Sequence, residues 1–234
     1  MQLFTYNDYL DYMSNSKIKK LIQGQNKKAY NIDIIEKNKR ISKEKKLVEM
    51  FNENIENAIE KLLYDEQEVS YIINDYFKIQ ICDVNSENLE LLENSKIFKS
   101  LEKSKIIDSQ VFKVKNKDIY FIIKFEKNPN YNIPYIIFNE CMELIKSLKE
   151  VSKEKMPIVI PIVIYVGNEK WNIKHNTCIR YTRFGENNVE LGYNILDFNM
   201  YDLKYIISKK SRINKYIVLK KEMEIYLIEN NYNL

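Results

Sequence analysis

The sequence predicts an α/β protein: a mixed sheet flanked by helices, with a helical N-terminal appendage. Three stretches carry that expectation. Val111 to Val114 and Ile119 to Phe125 are rich in branched and aromatic residues and bracket a polar turn at Asn116–Asp118, which reads as a β-hairpin. Pro157 to Val166, within MPIVIPIVIYVGNEKW, is apolar on both faces, as in a strand covered by helices on either side. Leu47, Val48, Phe51, Ile55, Ala58, Ile59, Leu62 and Leu63 recur at steps of three and four, the spacing of an amphipathic helix.

In chain order, residues 1–22 suggest one or two short helices, with Leu10, Met13, Ile18, Leu21 and Ile22 as apolar contacts. From Gly24 to Lys46 the chain turns basic, with Lys27, Lys28, Lys37, Lys39, Arg40, Lys43, Lys45 and Lys46. Such a run is a solvated linker or exposed helix face, or a segment that contacts phosphates. After the periodic helix, a second should cover Glu66 to Phe77 and bury Val69, Ile72, Ile73 and Phe77. Asp83, Asn85, Ser86 and Asn88 mark a loop, with a short strand in LELL. Past the hairpin, Pro134 suits a first helical turn, and that helix should bury Ile137, Cys141, Leu144, Ile145 and Leu148. Pro161 cannot donate to a ladder, so the apolar strand should carry a bulge or an unpaired position there. A last strand falls at Tyr193 to Asp197. Terminal helices should turn Leu203, Ile206, Ile207, Ile213, Ile217 and Leu219 inward. The simplest division is an appendage at residues 1–45 and one α/β domain at 46–234.

Composition bounds the function. A chain of 234 residues is long enough for one large domain. Its net charge of +4 permits nucleic-acid binding without arguing for it. Cys82, Cys141 and Cys178 are far apart, no CxxC exists and His175 is the single histidine, which excludes a zinc site and points to a reducing compartment. The N-terminus lacks the basic and apolar regions of a signal peptide. The run Met156 to Val166 is too short for a bilayer, which needs about 20 apolar residues. The expectation is a cytoplasmic protein with no membrane partner. No glycine-rich phosphate loop, serine elbow or Cys–His pair is present.

MPIVIPIVIYVGNEKW, with its proline-interrupted strand, glycine turn and tryptophan, resembles the recombination-promoting nuclease family, also described as PD-(D/E)XK nuclease family transposases. YNILDFNMYD followed by a helix is similar to that family's closing strand and helix, and KNKDIYFII before YNIPY matches its hairpin and helix entry. The resemblance covers about residues 46–222. It implies a restriction-endonuclease-like core, which would make residues 46–234 a PD-(D/E)XK nuclease-like domain, and a Mg²⁺ site on the strand hairpin. In such sites one Asp opens the site and a Glu/Asp-x-Lys/Gln pair follows on the next strand. Side chains two apart on a strand share a face, so an acid there can hold a hard cation while its neighbour steadies developing phosphate charge.

The working positions depart from that pattern. In a register without gaps, which fits NYNIPY unadjusted, the catalytic Glu position falls on Lys124 and the Lys/Gln position on Glu126. The opening Asp falls on Ser109, with Asp108 one residue early, and an Arg after the helix-start proline becomes Ile136. A two-residue gap would restore Glu126 to the Glu position, with Asn128 for the Gln. The family's early-helix His–Asp pair is missing, and FNENIENAIEKLL offers Glu53 and Glu56. The resemblance therefore implies a decayed or weakened endonuclease. If activity is retained, Asp108, Lys124 and Glu126 would be catalytic, and Asp108 and Glu126 would hold Mg²⁺. The competing reading of Lys124 and Glu126 is an ion pair, on one face or across strands, at a sheet edge. A non-catalytic module holding DNA or a protein is the alternative, and helix 47–63 leaves self-association open. Trp171 and Tyr165 read as core or rim packing, and His175 as a surface residue.

Overall fold

The computed structural model describes residues 34–77, 84–92, 108–151, 156–173 and 192–229. The helices expected over residues 1–22, the side chains of the basic stretch up to Lys45, and His175 lie outside the described residues. The described residues divide into two compact units, with breaks at Ala58/Ile59 and Lys221/Glu222. The sheet lies wholly in the unit of residues 59–221.

Helix α1 spans Ile34–Leu62, and α2 spans Glu66–Ile72. The turn between them is set by Asp65, whose carboxylate caps α2 by accepting from the backbone N–H groups of Gln67 and Glu68. The helix expected to reach Phe77 changes character: Ile73–Phe77 is a π-helical turn. Asn74 of that turn donates through its side chain to the Val84 carbonyl.

Five strands follow: β1 Leu89–Leu91, β2 Gln110–Val114, β3 Ile119–Glu126, β4 Ile158–Tyr165 and β5 Asn194–Asp197. They lie in sequence order across one sheet. β1, β2 and β3 form an antiparallel meander. Helix α3, Ile133–Val151, then carries the chain over to β4, which runs parallel to β3, and β5 runs parallel to β4. The sheet is mixed and flanked by helices, as the sequence predicts. Asn116 makes the tight β2–β3 turn possible by adopting φ 60°, a conformation Asn tolerates better than most side chains.

Alternation along β3 divides the core. Tyr120 and Ile122 face α3, where they join Val111, Ile133, Ile137, Cys141, Leu144, Val163, Tyr165 and Trp171 in one buried cluster. Phe112, Phe121, Ile123, Ile162, Ile164 and Leu196, aligned through the strand registers, lie on the other face and are also buried. Both faces of β3 and β4 are covered, which explains their continuous apolar runs. Tyr165 and Trp171 pack with ring centroids 5.0 Å apart, as core residues. Burial also pushes the Cys141 thiol up to about 12.

Pro161 causes no bulge. Its register with Ile122 is unbroken, and its carbonyl accepts from the side chain of Asn194 on β5 at 3.2 Å. In a parallel ladder the N–H and C=O of one residue point to the same neighbour. The missing N–H therefore faces β5, one residue before that pairing begins at Ile162–Asn194. The unpaired position is a ladder end.

A short 3-10 turn at Phe198–Met200 leads to α4, Leu203–Ile207, and α5, Arg212–Glu229. Ile206, Ile213, Ile217 and Leu219 are buried as expected, but Ile207 is not; it is 62% exposed. Helix α4 is only five residues long and Ser208 ends it, so one side alone meets the core. Ile145 is likewise only half-buried. Among the described residues no helix is long and apolar enough to cross a membrane.

Candidate active site

The site forms where β2 begins and β3 ends, beneath α3. The β2–β3 register pairs Gln110 with Ile123. Continuing it by one residue sets Ser109 opposite Lys124, and alternation turns Lys124 and Glu126 toward the helix. β3 is the central strand of the five. The lysine therefore does not sit at a sheet edge, where an exposed ion pair would be inconsequential. It is buried, with its side chain 8% exposed.

What it meets is Glu140, from the middle of α3, which is completely buried. The Lys124 ammonium lies 3.5 Å from Glu140 Oε1 and 3.2 Å from Asp108 Oδ2. It also approaches the Asp108 carbonyl at 3.5 Å. These distances exceed the roughly 2.7–2.9 Å of a tight charge-assisted hydrogen bond, as befits one ammonium shared among three oxygens. Glu140 is held from its other side too. The Ser109 hydroxyl donates to Oε2 at 2.6 Å and the Asp108 N–H to Oε1 at 3.2 Å. Glu140 thus gathers the start of β2, the end of β3 and its own helix into one polar cluster.

The three residues singled out in the sequence are brought to one place in different roles. Asp108 reaches Lys124 across the strands, but its side chain is 96% exposed. Glu126 takes no part in either ion pair. It is half-buried at the mouth of the cleft, and its carboxyl is raised above the usual range, first by burial and then by the charges of Asp108 and Glu140, against the pull of Lys124. A raised carboxyl costs stability as pH climbs through its folded value, because the ionised form then has to be kept in a place that disfavours it.

Glu140 escaped the sequence reading, although a signal existed: Ile137, Glu140, Cys141 and Leu144 share one helical face. Glu60, near the end of α1, is a second omission. It lines the same open cleft of about 470 Å³ with Asp108, Lys124, Glu126, Lys127 and Asn128, and pairs with Lys127 at 3.7 Å. The early helix does contribute an acid, one turn beyond Glu56.

Carboxylate and carbonyl oxygens are the right donors for Mg²⁺, which they hold at about 2.0–2.1 Å. Here the ammonium stands among them at longer range. Among the described residues no three His, Cys, Asp or Glu side chains converge as a metal-holding group. With Lys124 in place, the residues present do not fit a bound Mg²⁺.

A family model described as "Putative transposase, YhgA-like" matches residues 57–229. The chain belongs to this family. The match takes in all five strands, α3 and the Asp108–Lys124–Glu140 cluster, and nearly the whole span of the resemblance noted in the sequence. No curated protein and no solved structure matches the chain. Membership of the YhgA-like transposases supports a transposase- or nuclease-like function at the level of the family.

Proposed function

We propose that this chain is a PD-(D/E)XK nuclease-fold member of the YhgA-like transposases whose metal-dependent DNA endonuclease site has decayed, and that it acts by holding DNA without cutting it. The observation that carries this reading is the engagement of Lys124 with both Asp108 and Glu140. Lys124 stands at the position that the resemblance gives to the catalytic Glu. A cation has replaced an anion at the centre of the site, so the groups that would grip a metal instead neutralise a side chain.

The DNA-holding role draws on the family, on the basic stretch from Lys27 to Lys46, and on exposed lysines at the β2–β3 turn, Lys115 and Lys117. Phosphate contacts by such groups release counterions, so affinity should fall linearly with salt on logarithmic axes. Fluorescence anisotropy with a labelled duplex should show salt-sensitive binding that survives chelation of divalent ions and Glu126→Ala. Neutralising Lys27, Lys28, Lys37, Lys39, Arg40, Lys43, Lys45 and Lys46 should weaken it and flatten its salt slope. Absence of binding at low salt would remove the DNA-holding role.

A further inference from the structure

We propose that α1 is a docking surface for a second copy of this chain, laid antiparallel so that the basic half of each helix meets the acidic half of the other. Residues 37–46 hold six basic side chains against one acid, Glu44, whereas residues 47–60 hold four acids and no base. Both stretches belong to one 29-residue helix, so the charge is segregated along a single element.

The spacing sharpens that division. Lys39, Lys43 and Lys46 recur at steps of four and three, and so do Glu49, Glu53, Glu56 and Glu60, so each set forms a row along the helix. Neighbours three and four apart stabilise a helix when their charges are opposite and destabilise it when they are alike. Within both rows they are alike. A helix facing only water gains by alternating the two signs. These rows instead suit the same sequence running the other way. A register that sets Met50 opposite Glu49 of the copy also sets Lys46 opposite Glu53 and Lys43 opposite Glu56, and two-fold symmetry repeats each pairing. Lys46, Glu49, Met50 and Glu53 are exposed and Glu56 is half-buried, so a second chain can reach them. The next member of the acidic row, Glu60, already takes a lysine, Lys127 of its own chain, at 3.7 Å. Lys27, Lys28, Lys37, Arg40 and Lys45 fall outside the paired row and are left to phosphate. The pairing therefore goes beyond DNA holding and does not depend on it.

The test is sedimentation velocity of the full chain at about 0.05 M and about 0.5 M salt, which spans weak and strong screening of exposed charges. Wild type should sediment as a dimer at low salt and as a monomer at high salt. Two charge-reversed variants, Glu53→Lys with Glu56→Lys and Lys43→Glu with Lys46→Glu, should each be monomeric at low salt. Mixed in equal amounts they should sediment as a dimer, because each supplies the sign that the other has lost. The milder pair Glu53→Gln with Glu56→Gln, which spares the fold, should weaken the dimer by about tenfold or more, the summed loss of several exposed ion pairs. A wild-type monomer at low salt, a dimer that no variant weakens, or a mixture that stays monomeric overturns the pairing. Those results leave DNA holding intact, whereas a failure to bind duplex in the anisotropy experiment overturns DNA holding and leaves the pairing standing.

Discussion

Replacing Lys124 with methionine should destabilise the protein by about 3–5 kcal/mol, the usual cost of removing one partner of a buried ion pair. Methionine fills much of the space, so the loss is electrostatic. Glu140 has no exposure to water and would keep only the Ser109 hydroxyl and the Asp108 N–H. Urea denaturation at neutral pH measures the effect. Glu140→Gln in the same chain should recover part of it, with a coupling of about 0.5–3 kcal/mol between the two positions. Asp108→Asn should cost only about 0–1 kcal/mol, because its side chain is almost fully exposed and the pair is screened on that side. A loss below about 1 kcal/mol for Lys124→Met, the range of exposed pairs, would mean that Glu140 does not depend on the ammonium.

Glu68→Ala should cost a comparable amount, on the order of 3 kcal/mol. Glu68 is a buried carboxylate on α2 that serves the start of α5. It accepts from the Ser211 hydroxyl at 2.8 Å, from the Arg212 N–H at 2.7 Å and from Arg212 Nε at 2.7 Å. Asp65 takes the other arm of the guanidinium at 2.6 Å. An acid at a helix N-terminus also meets the favourable end of the helix dipole. Truncation therefore strips α5 of an anion, leaves the buried Ser211 hydroxyl without its acceptor, and frees half of the Arg212 clamp. The consequence reaches the sheet, because Lys220 of α5 donates to the Val166 carbonyl at 2.6 Å, just past β4. Chemical denaturation should show the loss, and Glu68→Gln, which keeps one of the two acceptor oxygens, should retain part of the stability.

Most of the sheet was legible because its signals are local. The hairpin shows in two runs of branched and aromatic residues around a polar turn, and β4 in a run with no polar face. Pro161 signalled a bulge or an unpaired position, and the register shows the second, at the end of the β4–β5 ladder. Burial of α3 could be read from its period as far as Leu148, with Ile145 the exception. Helix α4 was less legible: Ile207 looks like a core residue in any hydrophobicity pattern, and only a five-residue helix ending at Ser208 turns it outward.

The site was legible in part for a related reason. Strand alternation put Lys124 and Glu126 on one face, and the hairpin brought Asp108 within reach. Nothing local links those residues to Glu140, since the contact depends on how α3 crosses the sheet. Glutamate in a helix ordinarily faces water, which is why its place on the Ile137–Cys141–Leu144 face went unread. Glu60 was missed because the family pattern directs attention to an earlier turn of α1. In both cases tertiary convergence, not spacing, makes the residue part of the site.

Under the proposed function, the Lys124 ammonium holds the groups that would bind metal, and the wild-type protein should not cut DNA. Supercoiled plasmid incubated with the wild-type protein and Mg²⁺ or Mn²⁺ tests it most directly. The supercoiled form should persist in both metals. Nicked or linear product that appears with metal and vanishes in Glu126→Ala would contradict it.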